Sequence, residues 1–424
     1  AQVNRDTPPE SVPGYCVRPL ALMKTLVFGW AALTALSALS AAAAIPPPPR
    51  AQERGLYWDV DPFDDGVDPA AVTDIHVVFS NHLDVGFNSR AWCDGGSLQG
   101  CIGPERTVDG QLCRPWSYFV INANMNTFLP RAAALAETLR GTDTAFTYMT
   151  QPFVVAFLLD CEEAGLNDWR DGPTLGKTLL ECPDASAIAN FKASVKRGDV
   201  WFHAFPHNPM PGLYDASLFN ASLNMAKRQA EALGVRSPST YSQRDETGMT
   251  RAIVPLLNAS NIGMISLGSG GGSGGHPVIP DLFVWKDLAT DTSVLFVFDH
   301  GYGGGLHVLP SNGVALYCAW NTDNGGPMPQ ADVKTVYTQL RQKYPNAIVH
   351  ESTFDKFYDV ANAHREGLPV ITKEIGDTWL YGVPSDPFKN QMFRELSRLR
   401  RDCVERERDP CDPANDPTMK RFDR

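Results

Sequence analysis

No long basic run occurs in this chain, and its absence removes two partner classes. The 424 residues carry a net charge of −11. Neither a nucleic-acid backbone nor an anionic membrane surface would be drawn to such a chain. There is also no Cys-x-x-Cys pair, which excludes a cysteine zinc knuckle. The Gly-Ser run at 268–275 lacks the Lys-Ser/Thr that follows a phosphate-binding loop, and so reads as a mobile loop over a site mouth. No internal repeat is visible.

What is present points to a large folded core. Hydrophobic residues make up 43% of the chain, enough for one barrel or two ordinary domains. Nine Trp and 10% aromatics are compatible with stacking on sugars. The first Met is Met23, and residues 23–44 hold one Lys, an apolar stretch and an Ala-rich end before a Pro run. That pattern predicts a secretory signal peptide, with a signal anchor as the alternative. After cleavage no stable membrane span is expected, and the product is expected to be extracellular. Residues 1–22 read as upstream sequence, 45–72 as a Pro-rich linker, 73–395 as the catalytic domain, and 396–424 as a charged tail beginning a further C-terminal region.

Cysteine usage fits an oxidising compartment. Setting aside Cys16, eight of the nine cysteines follow Met23, an even number that suggests disulfides. Cys161/Cys182 and Cys403/Cys411 are the expected pairs. Cys93, Cys101 and Cys113 share a Gly-rich loop, and Cys318, inside an apolar strand pattern, reads as a free core thiol. Asn220 and Asn258 are Asn-x-Ser glycosylation acceptors.

Short β-branched or aromatic runs recur at 74–80, 145–151, 199–206, 240–245, 263–268, 293–299 and 314–320. Helical patterns lie between most of them, at 122–140, 186–197, 213–233, 249–257 and 331–343. Strands alternating with helices predict parallel β/α units. Seven of them predict an α/β fold, a seven-stranded parallel (β/α)7 barrel.

Functional groups in such folds gather where strands end. The first strand ends at His82-Leu83-Asp84, two side chains on one face. The third gives Trp201, His203 and His207, the fourth Gln243-Arg244-Asp245-Glu246, the sixth Asp299-His300-Gly301-Tyr302, and the seventh Asn321-Thr322-Asp323-Asn324. His82, Asp84 and Asp245 are donor types that hold a divalent ion such as zinc, with a fourth position for His, water or substrate. Asp245 and Asp323, on different strands, also suit the nucleophile and general acid/base of glycoside hydrolysis. Trp201, His207, Arg244, His300 and Tyr302 are the expected substrate contacts.

His-Leu-Asp-Val-Gly-Phe at 82–87 resembles the His-x-Asp-Pro-Gly-Trp motif of glycoside hydrolase family 38 α-mannosidases. Gln-Arg-Asp-Glu-Thr-Gly-Met-Thr at 243–250 resembles that family's Gln-x-Asp-x-x-Gly-His-Ser motif. The resemblance implies one zinc ion on His82, Asp84 and Asp245, with Asp245 also the nucleophile. It places Asp323 near the acid/base segment, and the order of 201–208, 353–358 and 376–379 follows the family's. It implies a barrel of the glycoside hydrolase/deacetylase type and a retaining, metal-dependent, α-mannosidase-like hydrolase acting on extracellular glycans. Val85 and Phe87 replace the motif's Pro and Trp, His207-Asn208 replaces an acidic pair, and the family's second His ligand would fall beyond residue 424. His203 or His300 is the candidate substitute ligand. The alternatives are a deacetylase-like metal hydrolase and an inactive carbohydrate-binding homologue.

Overall fold

The structure, a computed structural model, describes residues 67–85, 91–93, 97–99, 106–108, 111–163, 180–269, 278–321, 324–376 and 387–405, with backbone alone over 91–93, 97–99, 106–108 and 111–119. The chain divides into two compact units, Ala1–Tyr57 and Trp58–Arg424, and every described residue belongs to the second. The expected signal peptide, most of the linker, residue 323 and Cys411 lie outside the described residues.

Strand β1 (Asp74–Ser80) is followed by a four-stranded antiparallel sheet of β2 (Ala91–Cys93), β3 (Ser97–Gln99), β4 (Arg106–Val108) and β5 (Gln111–Pro115). Then come β6 (Tyr148–Thr150), β7 (Val200–Phe202), β8 (Thr240–Arg244), β9 (Met264–Gly268), β10 (Leu282–Asp287), β11 (Thr292–Asp299), β12 (Leu306–Val308), β13 (Val314–Trp320), β14 (Ile348–Glu351) and β15 (Val370–Ile371). The helices are α1 (Trp116–Ala123), α2 (Leu129–Leu139), α3 (Pro152–Asp160), α4 (Ala185–Arg197), α5 (Ala216–Leu233), α6 (Ile253–Ala259), α7 (Gln330–Lys343), α8 (Phe354–Ala361) and α9 (Pro387–Glu405). Helix α9 runs through residue 395, where the barrel domain was expected to stop. Among the described residues no helix is long and apolar enough to cross a membrane.

All seven expected strands form, as β1, β6, β7, β8, β9, β11 and β13. They do not close into one ladder. A sheet ordered β12-β13-β1-β6-β7, with β14 also on β1, faces a second ordered β15-β10-β11-β9-β8. The two meet at one backbone hydrogen bond, from Ala204 N–H to the Thr240 carbonyl (2.7 Å). Of the expected barrel, the described residues show the parallel β/α pattern as two mostly parallel sheets and do not show a closed seven-stranded ring. Strand β14 pairs with the start of β1 (Asp74↔Ile348 to Val77↔Glu351), and β6 pairs with the same strand at Phe79↔Tyr148.

Alternation along the strands sorts the core into layers. Ile75, Val77 and Phe79 of β1 face an outer core with residues of α2, α3, α4 and α7. Tyr241, Ile265 and Phe296 face a second outer core with α5 and α6. Val78, Met149, Met264, Val297, Leu316 and Cys318 fill the space between the sheets, plugged by Phe354 and Phe357 of α8. Each large apolar side chain so buried contributes roughly 1.5–3 kcal/mol.

Local chemistry sets the helix ends. The Asp184 carboxylate accepts the Ala187 N–H to start α4, and Gly198 ends it at φ 82°. Asp215 and Gly234 do the same for α5. A carboxylate satisfies a free N–H of the first turn, and glycine takes the left-handed turn without a Cβ clash. Cys161 and Cys182 are disulfide-bonded as expected, and Cys318 is a buried free thiol. Cys403 is disulfide-bonded.

Candidate metal centre

Leu83 is buried in the outer core, so its neighbours His82 and Asp84 turn the other way. His82 is 1% exposed. Its Nε2 lies 3.1 Å from Asp84 Oδ2 and 3.9 Å from Asp245 Oδ2. One donor atom from each of His82, Asp84 and Asp245 lies within 4.8 Å of the others. The expected ligand set is thus brought together from the ends of β1 and β8, across the junction of the two sheets.

Each member is held by specific neighbours. The Asp84 N–H donates to Asn324 Oδ1 (2.7 Å), and Asn324 Nδ2 donates to Asp84 Oδ2 (2.7 Å). Burial pushes the Asp84 carboxyl up, but the hydrogen bond and charge of His82, with the Asn324 amide, hold it below the usual range. Tyr302 stacks on the His82 ring (centroids 5.0 Å) and meets Trp320 edge-on (4.1 Å). Asp245 has φ 71° and Asn324 φ 50°. A side chain in this left-handed region costs roughly 1–2 kcal/mol, a cost concentrated at functional sites.

Asn208 sets the protonation of His82. Its Oδ1 accepts the Arg244 N–H (3.3 Å), so its Nδ2–H is the group turned toward His82 Nδ1. The loop bearing it is tied to β8 by Gln243 Nε2, which donates to the Pro209 carbonyl (2.5 Å). An imidazole that accepts at Nδ1 carries its proton on Nε2, the atom facing both carboxylates. The donor set suits zinc in number and kind. Ligation through Nε2 requires the Asn208 amide to turn over and accept from Nδ1–H. A carboxylate at 208 would enforce that state, since it only accepts. Asn208→Asp is therefore expected to tighten zinc binding by about 10–100-fold, read by competition with a chelating dye. Equal or weaker affinity in the variant would show that residue 208 does not control the ligand.

Two expected substrate contacts are held by buried partners. Arg244 is fully buried; it donates to Asp299 Oδ2 (3.1 Å) and Ser266 Oγ (2.6 Å). Asp299 Oδ1 in turn pairs with His307 Nε2 (2.7 Å). Gly268 makes room for this guanidinium, since a Cβ there would lie 2.7 Å from Arg244 Nη1. The Trp201 indole N–H donates to Asp355 Oδ2 (2.8 Å), a carboxylate that also accepts from Ser239 and Thr240 at the start of β8. It packs between two cores rather than beside the ligands.

The remaining contacts divide. His207 neighbours Asn208 and meets Phe153 edge-on (5.3 Å), and burial pushes its pKa down to about 4. His300 pairs with Asp281 (3.0 Å). His203 is fully buried and accepts the Phe205 N–H (3.3 Å). Neither His203 nor His300 joins the ligand cluster found among the described residues. Asp323 lies outside the described residues, although its neighbour Asn324 grips Asp84. Sequence reading missed Asn208 and Asn324 as supports.

No protein-family model matches the chain, and no curated protein matches it. Among solved structures it is similar to an alpha-mannosidase from Enterococcus faecalis, at 11% identity and a TM-score of 0.48, over 72% of this chain and 31% of that one. It is also similar to a protein in glycosyl hydrolase family 38 from Enterococcus faecalis, at 9% identity and a TM-score of 0.40, over 72% and 29%. A third is a 4-alpha-glucanotransferase from Thermococcus litoralis, at 11% identity and a TM-score of 0.39, over 83% and 48%. The chain spans under half the length of each.

Proposed function

We propose that the chain is a retaining, zinc-dependent glycoside hydrolase of α-mannosidase type acting on extracellular glycans. The observation that carries this reading is the meeting of His82, Asp84 and Asp245 at the ends of two parallel strands. The two sequence motifs that resemble family 38 contain these same three residues.

A zinc ion held there supplies Lewis-acid binding of sugar hydroxyls. The chain's own groups do the rest. Asp245 attacks the anomeric carbon as the bond to the leaving oxygen breaks, and Asp323 gives that oxygen its proton. Asp323 then takes a proton from water, whose oxygen displaces Asp245. Tyr302 fixes the His82 ring, and Asn324 orients Asp84. Retention requires the two catalytic carboxyls to stand ~5–5.5 Å apart.

The test is hydrolysis of a nitrophenyl α-mannoside by the chelator-treated chain, with and without added zinc. Zinc-restored turnover with retained anomeric configuration is expected. Inverted product would remove Asp245 as nucleophile. Acetyl release from an acetylated glycan, without mannoside turnover, would replace this reading by the deacetylase.

A further inference from the structure

A second group of ligand-type side chains lies at the opposite end of β1. Asp74 and His76 are two residues apart and share a face, and β14 sets His350 directly opposite His76. One donor atom from each of the three lies within 4.8 Å of the others. At ~3.3 Å per strand residue, the eight steps from Asp74 to His82 separate the two clusters by on the order of 25 Å.

The hydrogen bonds around the imidazoles decide what these atoms offer. His350 Nδ1 is 3.0 Å from the Glu351 carbonyl oxygen. A carbonyl only accepts, so Nδ1 carries hydrogen, which leaves Nε2 as the nitrogen that can ligate. That Nε2 is hydrogen-bonded to Asp74 Oδ1 at 2.7 Å, so an ion bound there would replace the bridging proton. His76 Nδ1 is 2.7 Å from Ser352 Oγ, whose hydroxyl proton is directed to the Thr353 carbonyl (3.3 Å). The serine oxygen therefore accepts from His76 Nδ1–H, and in this ring Nε2 is again the nitrogen that can ligate. Two imidazoles with Nδ1–H held by oxygen acceptors, beside one carboxylate, is the arrangement that fixes histidines for metal ligation.

Accessibility fits as well. Asp74 and His350 keep about a third of their side-chain surface exposed (33% and 34%), while His76 is buried at 6%. An ion can enter from solvent and keep a water in its fourth position.

We propose that Asp74, His76 and His350 form a second site for a divalent transition-metal ion of zinc type, which clips β14 to β1. The clip would secure the segment leading into α8, whose Phe354 and Phe357 plug the space between the sheets. This inference is independent of the hydrolase reading.

Co2+, a spectroscopic stand-in for zinc, tests it in the full chain carrying His82→Ala and Asp84→Ala, which removes the first site. After chelator treatment this variant is expected to bind one Co2+ per chain, with the ligand-field absorption of a low-coordinate site. Adding His350→Gln, or separately Asp74→Asn at the other half-exposed ligand, is expected to abolish that band while the far-ultraviolet circular dichroism stays unchanged. No Co2+ uptake by the His82→Ala/Asp84→Ala chain would overturn the proposal and leave an ordinary His350–Asp74 ion pair. Uptake indifferent to both added substitutions would overturn it equally.

Discussion

Asp299→Ala is expected to destabilise the folded chain by about 3–5 kcal/mol, the range for breaking a buried ion pair by removing one partner. Arg244 is fully buried, and Asp299 is 2% exposed. The guanidinium cannot lose its charge, nor reach water. Without Asp299 it keeps, among the described residues, Ser266 and the face of Phe354, 5.5 Å away. His307 loses its acceptor in the same step. The cavity left by a carboxylate is small, so the uncompensated charge dominates. Urea unfolding midpoints at constant slope provide the measurement. Arg244→Met combined with Asp299→Leu removes charge and partner together and should recover most of the loss. A loss below about 1 kcal/mol in Asp299→Ala, or a double variant no better than the single, would show that this network is not where stability resides. Arg244 immediately precedes Asp245, so the same network fixes the strand end that delivers the candidate nucleophile.

That network also shows what the sequence made legible. The β1, β8, β11 and β13 strands were readable because short β-branched or aromatic runs are a local signal. His82 and Asp84 were readable as the close of such a run, and Leu83 between them belongs to the core. The buried partners of Arg244 were not legible because strand-end logic locates a residue along a strand and not across the sheet. Tyr241 is on the outer face, and Arg244, three residues on, projects between the sheets toward Phe354. Whether a strand end opens to solvent or closes over a buried partner depends on Asp299, 55 residues away. The partner of Trp201 is likewise distant, 154 residues away.

The arrangement of the two sheets had no local signature either. Strand β14 is four residues long and partly exposed, with neither an apolar run nor a clear alternation, yet it pairs with β1. Asn208 and Asn324 escaped notice because a neutral amide is neither a ligand nor a titrating group. Their roles lie wholly in which oxygen or nitrogen they present, and to whom.

Asp245→Asn is expected to reduce turnover of a nitrophenyl α-mannoside below about one ten-thousandth of the unaltered chain, the upper end of what a single positioned proton-transfer group contributes. The substitution removes two things together: the oxygen that would bond the anomeric carbon, and one of three metal donors. Asn keeps the size of Asp and tolerates left-handed backbone, so the φ of 71° at this position should survive and the fold with it. Asp323→Asn removes only proton transfer and should cost about 10²–10⁴-fold in kcat, with zinc content unchanged. A leaving group that needs no proton, such as a dinitrophenolate, should recover most of the first chemical step in Asp323→Asn and none of it in Asp245→Asn. The two carboxyls are thereby separated by role, without reference to their distance. If Asp245→Asn kept turnover within tenfold, the hydrolase assignment would fail. If neither the unaltered chain nor Asp323→Asn turned over any mannoside while both still bound mannose, the carbohydrate-binding homologue would stand in its place. The group at His82, Asp84 and Asp245 would then hold an ion for recognition alone.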